Sequence, residues 1–268
     1  MQTCIFSRFL VFLLIFTSSQ FLFSQKQGPV SDPQALALAT QSIIALTGGA
    51  AVSDVTLSGN ATWIAGSDTE TGSANLQAKG TGESRVGLNL SGGTRTEIRN
   101  DTGSYPQGAS VINGGDSQAW PVHNCWINAS WFFPALSFLN AAADPTLIFS
   151  YIGEEVRGGV KVEHLQVYRY LAGQKPVSIS LTQRVSTADY YLDSSSLLPV
   201  AMTFNTHADD DAFTNIALEI DFSMYQRVNG VQVPFHIQKL ISGGLAVDIT
   251  VQTVALNSGL SDSLFSIP

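Results

Sequence analysis

Ile216-Ala217-Leu218-Glu219-Ile220-Asp221-Phe222-Ser223-Met224-Tyr225 alternates apolar and polar residues with a period of two. That is the repeat of a half-buried strand, whose successive side chains point to opposite faces. Asn229-Gly230 follows, the dipeptide that best tolerates the positive φ of a tight hairpin turn. The chain returns with Val231, Val233, Phe235 and Ile237 on one face and Gln232, Pro234, His236 and Gln238 on the other. Gly243-Gly244 turns it again into Leu245, Val247, Ile249 and Val251, opposed by Ala246, Asp248, Thr250 and Gln252. Three strands in a meander with one oily face make an antiparallel β protein. What that face touches is the functional question.

The same period appears upstream. Val55, Leu57, Gly59, Ala61 and Trp63 share a face, and a polar tip at 66–70 leads into Ala74, Leu76 and Ala78. Val86, Leu88 and Leu90 follow, with Arg85 and Asn89 outward. After Gly92-Gly93 comes a strand from Thr94 to Arg99, whose Arg95, Glu97 and Arg99 read as a solvated outer stripe. Ahead of these strands, Asp32 to Thr47 reads as a helix. Asp32 is its N-cap, Pro33 sits in the first turn, Leu36, Ala39, Ile43 and Leu46 form its stripe, and Gly48-Gly49 ends it. Strands also fit Leu147 to Val156 and Val160 to Tyr170, and Val177 to Val185 reads as a further one. The tail around Asn257 to Phe265 closes with a helical turn.

Between the two strand-rich halves lies an aromatic segment. Trp120, Trp126 and Trp131 are followed by Phe132-Phe133-Pro134, and Ala135 to Ala143 reads as a short central helix. The segment is either a minor core under a long loop or a lid over an apolar cavity.

Composition places the chain. Of 268 residues, 44% are hydrophobic and 13% charged, enough apolar matter for one core. Arg8, an apolar run from Phe9 to Phe16 and small residues up to Ser24 make residues 1–24 a secretory signal peptide. The run is shorter than the roughly 20 residues that span a bilayer, so no stable membrane anchor is expected. Residues 25–268 then form a single domain, exported to the periplasm. Without Arg8 the balance is 12 basic against 21 acidic residues, a net −9, which disfavours nucleic acid as a partner. Cys4 leaves with the signal, and Cys125 alone forms no internal disulfide.

No catalytic motif is present, so the chain is read as a non-enzyme needing no cofactor. His207-Ala208-Asp209-Asp210-Asp211 reads as an acidic hairpin tip, with a divalent cation site as the alternative. His123 and Cys125 could both face a soft metal but lack a second pair, and Glu154-Glu155 reads as a strand-end charge pair.

Several phrases together resemble the LolA-like family of periplasmic lipoprotein carriers. They are Leu46-Thr47-Gly48-Gly49, Val55 to Gly59, Tyr191-Leu192-Asp193 with Leu198-Pro199, Asn229 to Pro234, and Asn257 to Phe265. The resemblance implies an α+β, mainly β fold: a curved half-barrel of about eleven antiparallel strands covered by the N-terminal and central helices. It implies an apolar cavity for a lipid or an acylated protein ligand, and it leaves envelope proteins as further partners. The cavity residues expected on that basis are Leu57, Trp63, Leu76, Leu88, Trp131, Phe132, Leu136, Phe222, Phe235 and Val247. The family's functional arginine has two candidates by location, Arg85 and Arg95. The alternative is an envelope scaffold of the same shape with a filled core.

Overall fold

The computed structural model describes residues 28–103 and 105–268; the expected signal peptide, residues 1–24, lies outside them. After helix α1 (Pro33–Thr47) come strands β1 (Asp54–Ala65), β2 (Asp68–Lys79), β3 (Ser84–Leu90), β4 (Gly93–Asn100), β5 (Gln107–Ile112) and the short β6 (Gln118–Ala119). A 3-10 turn at Val122–Asn124 precedes helix α2 (Pro134–Ala143). Then follow β7 (Leu147–Arg157), β8 (Val160–Arg169), helix α3 (Pro176–Ser186), β9 (Ala188–Asp193), β10 (Pro199–Ala208), β11 (Asp211–Val228), β12 (Val231–Ile241) and β13 (Gly244–Leu256).

All thirteen strands belong to one open sheet in the order β6-β5-β4-β3-β2-β1-β13-β12-β11-β10-β9-β8-β7. This is the antiparallel, mainly β architecture expected, with thirteen strands instead of about eleven. β1 and β13 meet at its middle, so the ends of the domain close the central seam. The meander is in place: β11 pairs with β12 and β12 with β13, and Asn229 (φ 49°) and Gly230 (φ 90°) make the first turn. The second turn is made by Ser242 and Gly243, one residue earlier than the glycine pair suggested.

Four expectations need correction. Val177 to Val185 is helical, because Pro176 sits in the first turn of α3 and Thr182, Val185 and Ser186 bury one helical face against β8. Met224 leaves the oily face. It adopts φ 55°, unpaired between Ser223↔His236 and Tyr225↔Pro234, and is exposed, while Tyr225 packs on the core in its place and the register stays the same on either side. In α1 the buried stripe is Ala35, Ala39, Ser42 and Leu46, and Leu36 is exposed. The fourth is the charge stripe on β4. Leu88 pairs with Arg95 and Val86 with Glu97, so Arg95, Glu97 and Arg99 share the face of Val86 and Leu88. They point inward.

One contact shows how strongly the sheet bends. Lys239 on β12 and Glu97 on β4 are five strand steps apart, about 24 Å in a flat sheet. Their side chains lie 3.5 Å apart. The hollow is covered at one end by α1 and α2, which pack on each other and on β12. α1 begins with Asp32 Oδ1 accepting from the amides of Gln34 and Ala35, and ends at Gly48 (φ 58°) beside the Asn229-Gly230 turn. On the outer face the C-terminal turn Asp262–Phe265 packs on β3 and β4, with Phe265 fully buried.

Candidate functional site

Inward side chains change character along the strands. Under the helices they are aliphatic or small: Val55, Leu57, Leu76, Ala78, Val231 and Val233, all buried. The aromatic segment fills this end. Phe132, Phe133, Leu136 and Phe138 are at most 1% exposed, and Phe138 meets Tyr190 of β9 at 4.7 Å between ring centres. Beyond the helices the inward positions become Trp63, Glu70, Arg95, Glu97 and Lys239, and the hollow stays open.

Two cavities adjoin there. The larger, about 340 Å³, lies between β4, the 120–131 segment and β10–β12; its walls include Arg99, Trp131, His207 and Leu218. The smaller, about 130 Å³, is walled by Trp63, Val86, Leu88, Arg95 and Val247. Both share Glu97, Lys239 and Ile241. A third cavity, about 230 Å³, lies beside α2, and its wall charges Arg169 and Asp144 are already paired at 2.5 Å.

The charges in the open end are mostly fixed by the protein itself. Arg95 lies 3.9 Å over the ring of Trp63 and donates to Glu70 at 2.9 Å. Lys239 Nζ sits 5.0 Å from the ring centre of Trp131 while facing Glu97. Arg99 is 7% exposed and has no carboxylate partner; its Nη2 donates to the carbonyls of Cys125 (2.5 Å) and Ile127 (2.7 Å). Burial works against its charge and pushes its pKa down. These two hydrogen bonds pull the aromatic segment onto β4.

The same segment is stitched to β10. Asn124 accepts from the His207 amide at 2.8 Å and donates to the His207 carbonyl at 2.9 Å, while His123 Nε2 lies 3.0 Å from the Ala208 carbonyl. The His207 ring packs edge-on to His123 at 5.9 Å. It is 2% exposed, and neither ring nitrogen has a partner among the described residues. Burial first, then the neighbouring His123 and Arg184, lower its pKa against the pull of Asp211, so the ring is neutral at neutral pH.

The expected cavity residues therefore divide. Trp63, Leu88 and Val247 meet in the smaller cavity, and Trp131 walls the larger one. Leu57, Leu76, Phe132, Leu136 and Phe222 belong to the packed core, and Phe235 packs half-buried against it. The 207–211 cluster is not a solvated tip throughout. His207 is buried, while Asp211 turns back to accept from the Phe213 amide and the Thr214 hydroxyl. No group of three or more His, Cys, Asp or Glu side chains poised for a metal occurs among the described residues. His123 and Cys125 are engaged separately, with the thiol near the Pro121 carbonyl and its pKa raised by burial. Glu154 and Glu155 sit within β7, paired with Lys161 and His164. Of the two candidate arginines, Arg95 lines the hollow, while Arg85 reaches the Leu264 carbonyl.

Glu97, Arg99, His207 and Lys239 were not among the expected cavity residues. Lys239 could have been found, because it follows Ile237 by two residues and so shares its face.

No family model matches the sequence, and no curated protein does. Solved structures do match. An outer membrane lipoprotein-sorting protein domain from Vibrio parahaemolyticus superposes with a TM-score of 0.55 at 10% identity, over 87% of this chain and 96% of its own. A DUF1329 family protein from Desulfovibrio piger gives a TM-score of 0.54 at 13% identity, over 89% of this chain and 98% of its own. A LolA superfamily protein from Nitrosomonas europaea matches at 9% identity with a TM-score of 0.49, over 87% and 97%. What is shared with the first two is the fold, over most of each chain.

Proposed function

We propose that this chain is an exported, non-catalytic carrier that takes an apolar chain into the open end of its half-barrel, in the traffic of lipid or lipoprotein through the envelope. The observation that carries this reading is the pair of adjoining cavities that α1 and α2 leave uncovered. Trp63, Leu88, Val247 and Trp131 would touch the ligand directly. Leu57, Leu76, Phe132, Leu136, Phe222 and Phe235 would do so only if α2 moved out. A shared fold with the Vibrio lipoprotein-sorting domain supports the same reading.

Size limits the occupant. A cavity of about 340 Å³ is at the lower end for a ligand pocket, which suits one chain better than three. At about 0.3 kcal/mol per heavy atom, a single chain of ~20 heavy atoms gains about 6 kcal/mol, a dissociation constant of tens of micromolar. The second reading, a scaffold with a filled core, is favoured by the complete burial of Phe132, Phe133 and Phe138. Titration with the neutral apolar dye N-phenyl-1-naphthylamine separates the two. The carrier binds it saturably, and Val247→Asp weakens binding while the far-UV spectrum stays unchanged. Absence of saturable binding, together with no co-purifying lipid in native mass spectrometry, would establish the scaffold.

A further inference from the structure

We infer that Ser223 is an acyl-acceptor site, its hydroxyl activated by His236 and Asp248 on the outer face of the sheet. This goes beyond the carrier reading, which concerns the hollow, and does not depend on it.

Three neighbouring strands bring the residues together. Phe222, Ile237 and Ile249 are buried in the core, so the residues beside them, Ser223, His236 and Asp248, point outward. Ser223 pairs directly with His236 across β11 and β12, and Asp248 on β13 lies one diagonal step beyond. Ser223 Oγ is 3.0 Å from His236 Nδ1, and His236 Nε2 is 3.1 Å from each Asp248 oxygen. Gln238 Nε2 donates to the same carboxylate at 2.7 Å and fixes it. A carboxylate only accepts, so Nε2 carries the ring proton and Nδ1 offers its lone pair to the Ser223 hydroxyl. That is the order nucleophile, base, orienting group. His164, on the same face, is the contrast. Its nitrogens both face carboxylates, Asp189 at 2.9 Å and Glu155 at 3.4 Å, so neither is left for a hydroxyl.

The surroundings narrow the donor. Ser223 is exposed, and the β10–β11 ladder ends at Ala201↔Asp221, which leaves its other flank without a paired strand. Asp221 stands on the same face two residues before Ser223, and with Asp248 it disfavours an anionic donor such as a phosphoryl group. Met224, 63% exposed, puts apolar surface beside the hydroxyl. Both features favour a neutral acyl carbonyl, carried by an activated ester or thioester. Ser223 Oγ attacks the carbonyl carbon and forms the new Oγ–C bond. The bond from that carbon to the leaving oxygen or sulfur breaks, and the hydroxyl proton passes through His236 Nδ1 to the leaving group. Compared with a hydrolase triad the two ring nitrogens are exchanged, and the residues lie on an open strand face. The arrangement therefore suits a single transfer that leaves O-acyl-Ser223, not turnover.

The test is incubation of the full chain with p-nitrophenyl butyrate, followed by peptide mapping, which reads Ser223 apart from lysine amides. Ser223 is expected to take up butyryl at least about tenfold faster than Ser73, an exposed serine on the outer face of β2. His236→Gln and Asp248→Asn should each slow Ser223 to the rate of Ser73 with an unchanged far-UV spectrum. Asp248→Asn keeps an acceptor for His236, so it remains informative if His236→Gln does not fold. Labelling of Ser223 no faster than Ser73, or undiminished in Asp248→Asn, overturns the acceptor site and leaves the carrier reading standing. Release of p-nitrophenolate beyond one equivalent per chain, lost in Ser223→Ala, overturns the single transfer in favour of hydrolysis.

Discussion

Replacing Phe132 with alanine tests whether the aromatic segment sits inside the half-barrel in solution. Phe132 is fully buried and meets Trp131 edge-to-face at 5.6 Å between ring centres. Truncating such a ring costs about 3–5 kcal/mol, part for lost burial and part for the cavity left behind. Domains of this kind have total stabilities of about 5–15 kcal/mol, so the change is a large share of the whole. At about 2–4 °C per kcal/mol for a domain this size, the melting temperature should fall by roughly 6–20 °C. Calorimetry gives the melting shift, and urea titration gives the free energy with an unchanged slope if the unfolded state is the same. The same variant enlarges the hollow, so dye binding should hold or strengthen while stability falls. A loss below about 1 kcal/mol is what an exposed site gives, and it would mean that the segment does not fill the sheet.

Gly59 sits at the bulge in the β1–β13 seam, where an added Cβ would lie 2.0 Å from the Thr250 carbonyl oxygen. Gly59→Ala should cost more than about 3 kcal/mol or prevent folding, while Gly87→Ala, whose nearest contact is 3.7 Å, should cost about 1 kcal/mol or less in the same urea titration. Asp54 is buried, which raises its pKa, but hydrogen bonds from the Ser258 side chain and amide, the Gly259 amide and Ser53 outweigh this and hold it below the ordinary 3.8. Its contribution, about 1–3 kcal/mol, is therefore complete above the unfolded-state value near 4 and is lost as pH falls through the folded one. Urea midpoints of Asp54→Asn should be lower at pH 7, with the gap to the parent narrowing as pH falls below about 4; a gap that does not change with pH would rule out the linkage.

The fold was legible wherever period and turn chemistry agreed. The meander, the Asn229-Gly230 turn, α1 with its Asp32 cap and α2 after Pro134 all follow from residues that admit little else. The site was less legible, because which face a strand buries depends on register across a hairpin. Arg95, Glu97 and Arg99 look like a solvated stripe until the pairing of Leu88 with Arg95 turns them inward. Met224 shows the same limit within one strand, since a single left-handed residue exposes its own side chain and brings Tyr225 to the core in its place, while the pairing on either side is unchanged. His207 is legible only in three dimensions, because its burial depends on Asn124, 83 residues away in sequence.

The division of the hollow into a filled and an open end follows from element lengths. α1 has 15 residues and α2 has 10, about 22 Å and 15 Å of helix. β13 has 13 residues and β11 has 18, about 43 Å and 60 Å of strand. Helices that short cover part of strands that long, and the rest of the inner face must be answered some other way. This chain answers it with long side chains pinned flat: Arg95 on Trp63 and Lys239 on Trp131. Their stems cover apolar surface while their charged heads face Glu70 and Glu97. An open end lined by these side chains, beside an end closed by a packed helix, is what the proposed carrier needs to admit a chain without unfolding the core.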